Sequence, residues 1–523
     1  MVGALPRPLR ATDSGLDEAH SQIITQAQAD IDRGHYAQAE RRLEVMVADA
    51  QSRGDEDAAA AAWWLLAACF IAQDRPREAK RAYARVAEHH DRQLANAAEL
   101  PLKIAERYVS QLETVGAYLV NIGAIDDAET VLYAALSGAQ QRLTGTSVET
   151  GLVLYQLGRI GQTRGDMVEA EEHYRRSIDA FRGATSRAPG VIDEGNGWSL
   201  HRLGEVLAAQ YRFAEAEPVL LEAYSALQRR YDLDAPELGY VLVSLARLYA
   251  ACGRLEQAET FFKRSVLVGA GKADQDQIEI ADRMTELAEL YWRAEQFDQA
   301  EALFERAIDR MSDTVGPGSP LTAAILERMA DLNWDLGRLG PAAIYCERAL
   351  ELLDAGEDGA RDEVVVAMVL HQLASIRFEQ GKMNAARLFA LRSLKVFETQ
   401  LPGSAEQASA LNLLGQIARG AGELTEAEQY LTDSIALMVR AAGEADPRVV
   451  TSVNNLAQVC LEAGTPTHAE GVLRWALNVA ARELGMTHPQ VELAVDLLYQ
   501  VLSADGRPDE AEELLSWARS SMG

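Results

Sequence analysis

The side chains best able to hold a metal or attack a carbonyl are sparse here: nine histidines and four cysteines in 523 residues. Cys69, Cys252, Cys346 and Cys460 lie far apart with no CxxC, so neither a disulfide framework nor a zinc site is expected. They read as small core residues of a reducing compartment. His89 and His90 are adjacent at an expected helix end, and neighbours on a helix point about 100° apart and chelate poorly. There is no HExxH and no cysteine–histidine cluster. Gly269-Ala270-Gly271-Lys272 lacks the GxxxxGK[ST] spacing of a phosphate loop and reads as a glycine-ended helix, and Gly316-Pro317-Gly318 as loop. The pairs Glu171-Glu172 and Glu512-Glu513 read as solvated faces. Catalysis needs groups converging in a dry pocket. The sequence therefore reads as a non-enzyme, with no catalytic residue, no metal site and no cofactor.

The formal charge is −29. Binding nucleic acid or an anionic membrane relies on Lys and Arg, so neither is expected as a partner. The longest apolar run, Ala58 to Ala72 with Trp63 and Trp64, is short of the ~18–20 residues that span a bilayer and reads as a buried helix. Residues 1–20, with Pro6 and Pro8 where a signal peptide would be apolar, read as a loose extension, and the location as cytoplasmic.

The elements that would position any site are written as a repeat. Gly253-Arg254-Leu255-Glu256-Gln257-Ala258-Glu259 matches Gly422-Glu423-Leu424-Thr425-Glu426-Ala427-Glu428, and the phrase recurs along the chain. Its anchor alanines are 39, 79, 128, 170, 216, 258, 300, 342, 386, 427, 469 and 511, spaced by about 42 residues. Twelve positions before the anchor stands a small residue such as Gly158, Gly204 or Ala246, and seven after it another, such as Ala135 or Ser177. Two helices that approach closely need small residues where they cross. Five before the anchor, a glycine or polar residue ends the first helix and permits a tight turn. Pro236, Pro320, Pro447 and Pro489 each stand 22 residues before an anchor, where a helix tolerates proline in its first turn; Ser319 and Asp446 are expected caps. Residues 89–105, Gly183 to Gly197 and Asp354 to Glu363 are expected to be longer connections. The expected fold is all-α: a right-handed superhelical solenoid of about twelve helix pairs over residues 21–523.

This small–turn–Ala–aromatic pattern resembles the tetratricopeptide repeat. Thr487-His488-Pro489 and Val453-Asn454-Asn455-Leu456-Ala457 resemble its kinesin light chain subtype. The resemblance implies that first helices line a concave groove holding a protein or peptide partner. Transferring that phase puts Tyr155, Arg159, Trp198, His201, Arg202, Tyr240 and Arg247 on the groove. Glu289, Trp292, Trp334, Asn412, Asn454, Asn455 and Gln458 follow, with Asn455 matching the asparagine that holds peptide backbone in that subtype. Arg159, Arg202 and Arg247, beside Trp198 and Tyr240, suggest a cationic strip for an acidic or C-terminal segment; Trp292 and Trp334 suggest stacked aromatics one repeat apart. The leading function is a protein-interaction scaffold or adaptor. Alternatives are a regulatory sensor subunit controlling a separate effector enzyme and a self-assembling structural protein, so self-association stays open.

Overall fold

The structure is a computed structural model, and it describes residues 17–96, 100–143, 146–184, 189–268, 274–354, 362–444, 446–483, 485 and 488–521. The described residues hold twenty-four helices and no strand. The chain divides into two compact units, Met1–Ala270 and Gly271–Gly523.

The first unit contains α1 (Glu18–Asp32), α2 (Tyr36–Arg53), α3 (Glu56–Ala72), α4 (Pro76–Asn96), α5 (Leu102–Asn121) and α6 (Ile125–Arg142). It continues with α7 (Val148–Arg164), α8 (Met167–Gly183), α9 (Pro189–Ala209), α10 (Phe213–Gln228), α11 (Pro236–Ala251) and α12 (Leu255–Leu267). The second holds α13 (Asp274–Arg293), α14 (Phe297–Val315), α15 (Pro320–Asp335), α16 (Leu339–Asp354), α17 (Glu363–Glu379) and α18 (Met383–Gln400). It closes with α19 (Ala405–Gly420), α20 (Leu424–Ala442), α21 (Pro447–Glu462), α22 (Pro466–Glu483), α23 (Pro489–Ala504) and α24 (Pro508–Ser521).

Local chemistry sets the register of every pair. Each anchor alanine is 0–1% exposed. All twelve residues five before an anchor adopt positive φ, nine as glycine and three as Asp74, Tyr211 and Glu295. Glycine pays no Cβ penalty in that left-handed turn, which is why it dominates the column. Pro236, Pro320, Pro447 and Pro489 open their helices, and Ser319 and Asp446 cap Leu321 N–H and Arg448 N–H at 3.2 and 2.8 Å. Where helices of a pair cross, bulk is complementary. A Cβ added to Gly158 would fall 2.6 Å from the Tyr174 ring, and one added to Gly204 2.5 Å from Leu220.

Within each unit most successive first helices also touch one another: α1 with α3, then α5, α7, α9 and α11 in turn, and α15, α17, α19, α21 and α23 in turn. Among second helices only α4 and α6 do so comparably. The first helices therefore form the tighter layer of each unit.

Several expectations are corrected. Residues 89–96 continue α4, so His89 and His90 lie within a helix, both buried, with His90 stacked on Tyr108 at 4.3 Å. Residues 189–197 are the first turns of α9. Gly195 sits in that helix because Phe181 occupies the space a side chain would need. Cys69, Cys346 and Cys460 are buried as expected, but Cys252 is exposed at the end of α11. α1 begins at Glu18, inside the stretch read as extension. Residues 1–16, Gly269 to Lys272, Thr487 and most of the 354–363 connection lie outside the described residues. Ala58 to Ala72 does fold as part of buried α3, and among the described residues no helix is long and apolar enough to cross a membrane.

A charge ladder runs along the turns. The residue after the anchor is usually glutamate, and the arginine four before the next anchor reaches back to it: Arg75 to Glu40 at 3.0 Å, Arg212 to Glu171 at 2.6 Å, Arg254 to Glu217 at 2.8 Å, Arg338 to Glu301 at 3.2 Å and Arg507 to Glu470 at 2.7 Å. Arg164 serves Glu129 from a neighbouring position. One rung is written backwards, with Arg387 after its anchor and Glu423 before the next. Exposed pairs of this kind each contribute little, because water and salt screen them. Arg387→Glu and Glu423→Arg should each destabilise the second unit in denaturant unfolding, while the double exchange should recover most of the loss. Additive losses in that cycle would mean the ladder carries no coupling.

Candidate functional site

In the first unit the expected strip is assembled on α7, α9 and α11. Tyr155 and Arg159 project from α7, Trp198, His201, Arg202 and Glu205 from α9, and Tyr240, Ser244 and Arg247 from α11. Trp198 and Tyr240 meet edge to face with ring centres 6.1 Å apart. Tyr240 and Arg247 are exposed, and Tyr155, Arg159, Trp198 and Arg202 are half-buried.

The same side chains knit each first helix to its neighbours. Gln156 donates to Glu113 of α5 at 2.8 Å, and Arg159 donates to Gln156 and to Asn121 of α5 at 3.0 and 2.9 Å. Arg202 donates to Glu205 at 2.8 Å. His201 Nε2 lies 2.9 Å from Ser244 Oγ, which also donates to Glu205 at 3.1 Å.

The charges follow from these contacts. Burial works against the Arg202 cation, but Glu205 and Tyr155 outweigh it and raise its pKa. Burial likewise opposes ionisation of Glu205, yet His201 and Arg202 hold its carboxyl below the usual range. Burial pushes the His201 imidazole down to about 4. His201 is 3% exposed, so the expectation that it faces a partner is corrected: it is a packed strut between α9 and α11. Arg202 is committed to a carboxylate, whereas both acceptors named for Arg159 are neutral amide oxygens.

In the second unit α13 and α15 carry acidic side chains. Asp282, Glu286 and Glu289 lie on α13, with Glu327 and Asp331 on α15. Burial raises the carboxyl pKa of Asp282, Glu327 and Asp331, and neighbouring acids add to each shift. Glu289 lies 3.5 Å from Arg328 and 3.8 Å from Arg293. Trp292 and Trp334 are both half-buried but do not stack, because Trp334 Nε1 donates to Glu379 of α17 at 2.6 Å. Gln372 of α17 donates to Asp331 at 2.5 Å.

Further along, Asn455 donates to Asn412 of the preceding first helix at 2.9 Å, and Arg419 donates to Gln458. Asn454, expected on the groove, is 1% exposed and donates to the Gln490 carbonyl at 2.9 Å, which takes it out of reach of a partner. The expected absence of a cysteine–histidine cluster is also corrected. Cys460 Sγ and His468 Nδ1 stand 3.7 Å apart, and Glu428 Oε1 is 3.0 Å from that nitrogen. Eight residues separate Cys460 from His468, a spacing that a helix-to-helix turn closes. Aligning the repeats column by column exposes this trio and the charge ladder; a scan for contiguous motifs passes over both.

The tetratricopeptide repeat family matches residues 197–266, 279–355, 365–439 and 406–482. Similar solved structures include BtubC (BKLC) from P. vanneervenii, 19% identical over 44% of this chain and 90% of its own, with a TM-score of 0.38. A Podosopora anserina kinesin light chain structure with nearly identical TPR-like repeats is 19% identical over 38% and 94%, with a TM-score of 0.35. The Cut9–Hcn1 complex of the APC/C is 13% identical over 94% and 98%, with a TM-score of 0.35. No curated protein matches. With a little over half of its length matched in register with the anchors, the chain belongs to the tetratricopeptide repeat family.

Proposed function

We propose that the protein is a non-catalytic scaffold of the cytoplasm that holds extended protein segments along its first-helix faces. In the first unit the face of α7, α9 and α11 takes an acidic or C-terminal segment. The observation that supports this reading is the placement of Arg159, Arg202 and Arg247 on three successive first helices around the Trp198–Tyr240 pair. A carboxylate entering there meets guanidinium groups in fork geometry, with aromatic surface beside them. In the second unit Asp282, Glu286, Glu289, Glu327 and Asp331 favour a segment of the opposite charge.

The test variants are Arg159→Glu and Arg247→Glu. Labelled extended peptides with acidic free C-termini should bind the wild-type chain in fluorescence anisotropy and weaken with salt. The double reversal should weaken them at least about tenfold, since a charge-assisted contact contributes ~1.5–3 kcal/mol. Equal affinity for acidic, amidated and lysine-substituted peptides, or no change in the variant, would refute the assignment.

A further inference from the structure

At six places along the charge ladder an arginine neutralises the glutamate after the anchor; Gln296 takes that arginine's column in the repeat after Glu259, and the column changes again between α20 and α22. There Thr465 stands where the arginine belongs, and its Oγ1 donates to the Cys460 carbonyl at 3.1 Å. Among the described residues Glu428 has only His468 as an ion-pair partner. At the column nine before the anchor no other repeat places cysteine, and at the column one before it no other repeat places histidine. Both substitutions fall in a repeat whose column four before the anchor is threonine while the preceding repeat keeps its glutamate.

We propose that Glu428, Cys460 and His468 bind a zinc ion that takes the place of a rung and joins α20 to the facing ends of α21 and α22. Their ligand atoms all lie within 4.8 Å of one another. Tetrahedral zinc, with Zn–S about 2.3 Å and Zn–N or Zn–O about 2.0–2.2 Å, sets sulfur and nitrogen ~3.5 Å apart and nitrogen and oxygen ~3.4 Å apart. The sulfur–nitrogen and nitrogen–oxygen separations stand at 3.7 and 3.0 Å, each within a few tenths of an ångström of that geometry, and the sulfur and carboxylate oxygen lie within 4.8 Å. Thiolate, imidazole and carboxylate together suit zinc, with its borderline softness, better than magnesium or calcium, which favour oxygen sets. Binding releases the thiol proton to solvent and uses the His468 tautomer that carries its proton on Nε2. Cys460 forms the buried floor, while the half-exposed His468 and Glu428 leave the fourth position open to water.

Cobalt(II) reports this directly. Titration of the full chain should saturate at one ion with a near-ultraviolet thiolate-to-cobalt charge-transfer band that zinc abolishes by displacement. Cys252→Ser, which removes the exposed thiol, should leave the band intact, and Cys460→Ser should remove it. His468→Ala and Glu428→Ala should each weaken binding by more than about 100-fold, because changes outside the ligand shell alone cost 10–100-fold. A chain without the band, a band that survives Cys460→Ser, or one lost in Cys252→Ser overturns the proposal. If Cys460→Ser fails to fold, zinc protection of Cys460 from alkylation in the wild-type chain, read by mass spectrometry, decides it: unprotected Cys460 overturns the site.

Discussion

Phe181→Ala should cost the first unit about 3–5 kcal/mol, the range for emptying a fully buried aromatic site. The ring is 0% exposed at the end of α8, wedged between two glycines of the first helices on either side. A Cβ on Gly151 of α7 would lie 2.8 Å from it, and one on Gly195 of α9 only 2.3 Å away. Neither glycine has a side chain to move into the space, so truncation leaves a cavity. In a repeat array each unit of the stack leans only on its neighbours, so the loss should centre on α7, α8 and α9 in hydrogen exchange and appear in denaturant unfolding. The converse substitution, Gly195→Leu, should cost ~1–3 kcal/mol by overpacking the same contact. Were Gly195 in a solvated connection, it would fall within about ±0.5 kcal/mol, and that result would remove α9's first turns from the fold.

Acidification should weaken the first unit through His201, well above the pH at which most carboxylates protonate. In the unfolded chain its pKa is near the ordinary 6.5; in the folded chain burial brings it to about 4. Above pH 6.5 both states hold the neutral ring and the stability is fully present. As pH falls the unfolded state takes up the proton first, and the contribution is progressively lost until the folded ring protonates too. At pH 5 the loss relative to neutral pH is on the order of 2 kcal/mol. Glu205 faces the ring and resists the shift, while Arg202 and Arg247 reinforce it. His201→Gln should flatten this part of the stability profile between pH 7 and 5. His90, pushed down to about 3 by burial, titrates in both proteins and drops out of the difference. Parallel profiles for the two proteins would mean that His201 is already charged in the native state.

Much of this was legible in the residues themselves. Gly165, Gly253 and Gly422 mark left-handed turns, Pro236 and Pro447 mark helix starts, and Ala170 or Ala258 marks a crossing too close for a larger side chain. These are local constraints, settled within a few residues and repeated twelve times, so the anchor register needed only the sequence. The two misread connections had misleading composition: the glycines near 195 looked like loop because their reason for being small is Phe181, which arrives from the preceding helix.

Which polar side chains remain available to a partner was decided only by tertiary structure. His201, Arg202, Asn454 and Gln156 carry the right chemistry and phase for a groove, yet each finds an acceptor or a packed surface on its own or an adjacent helix. Glu428, Cys460 and His468 show the same principle in reverse, three unremarkable residues that the stacking brings within 4.8 Å. A period specifies where each helix lies, because turn geometry and close packing act at short range. Whether a side chain is spent or free depends on what the next repeat presents to it about 40 residues away, and that pairing exists only once the helices are stacked.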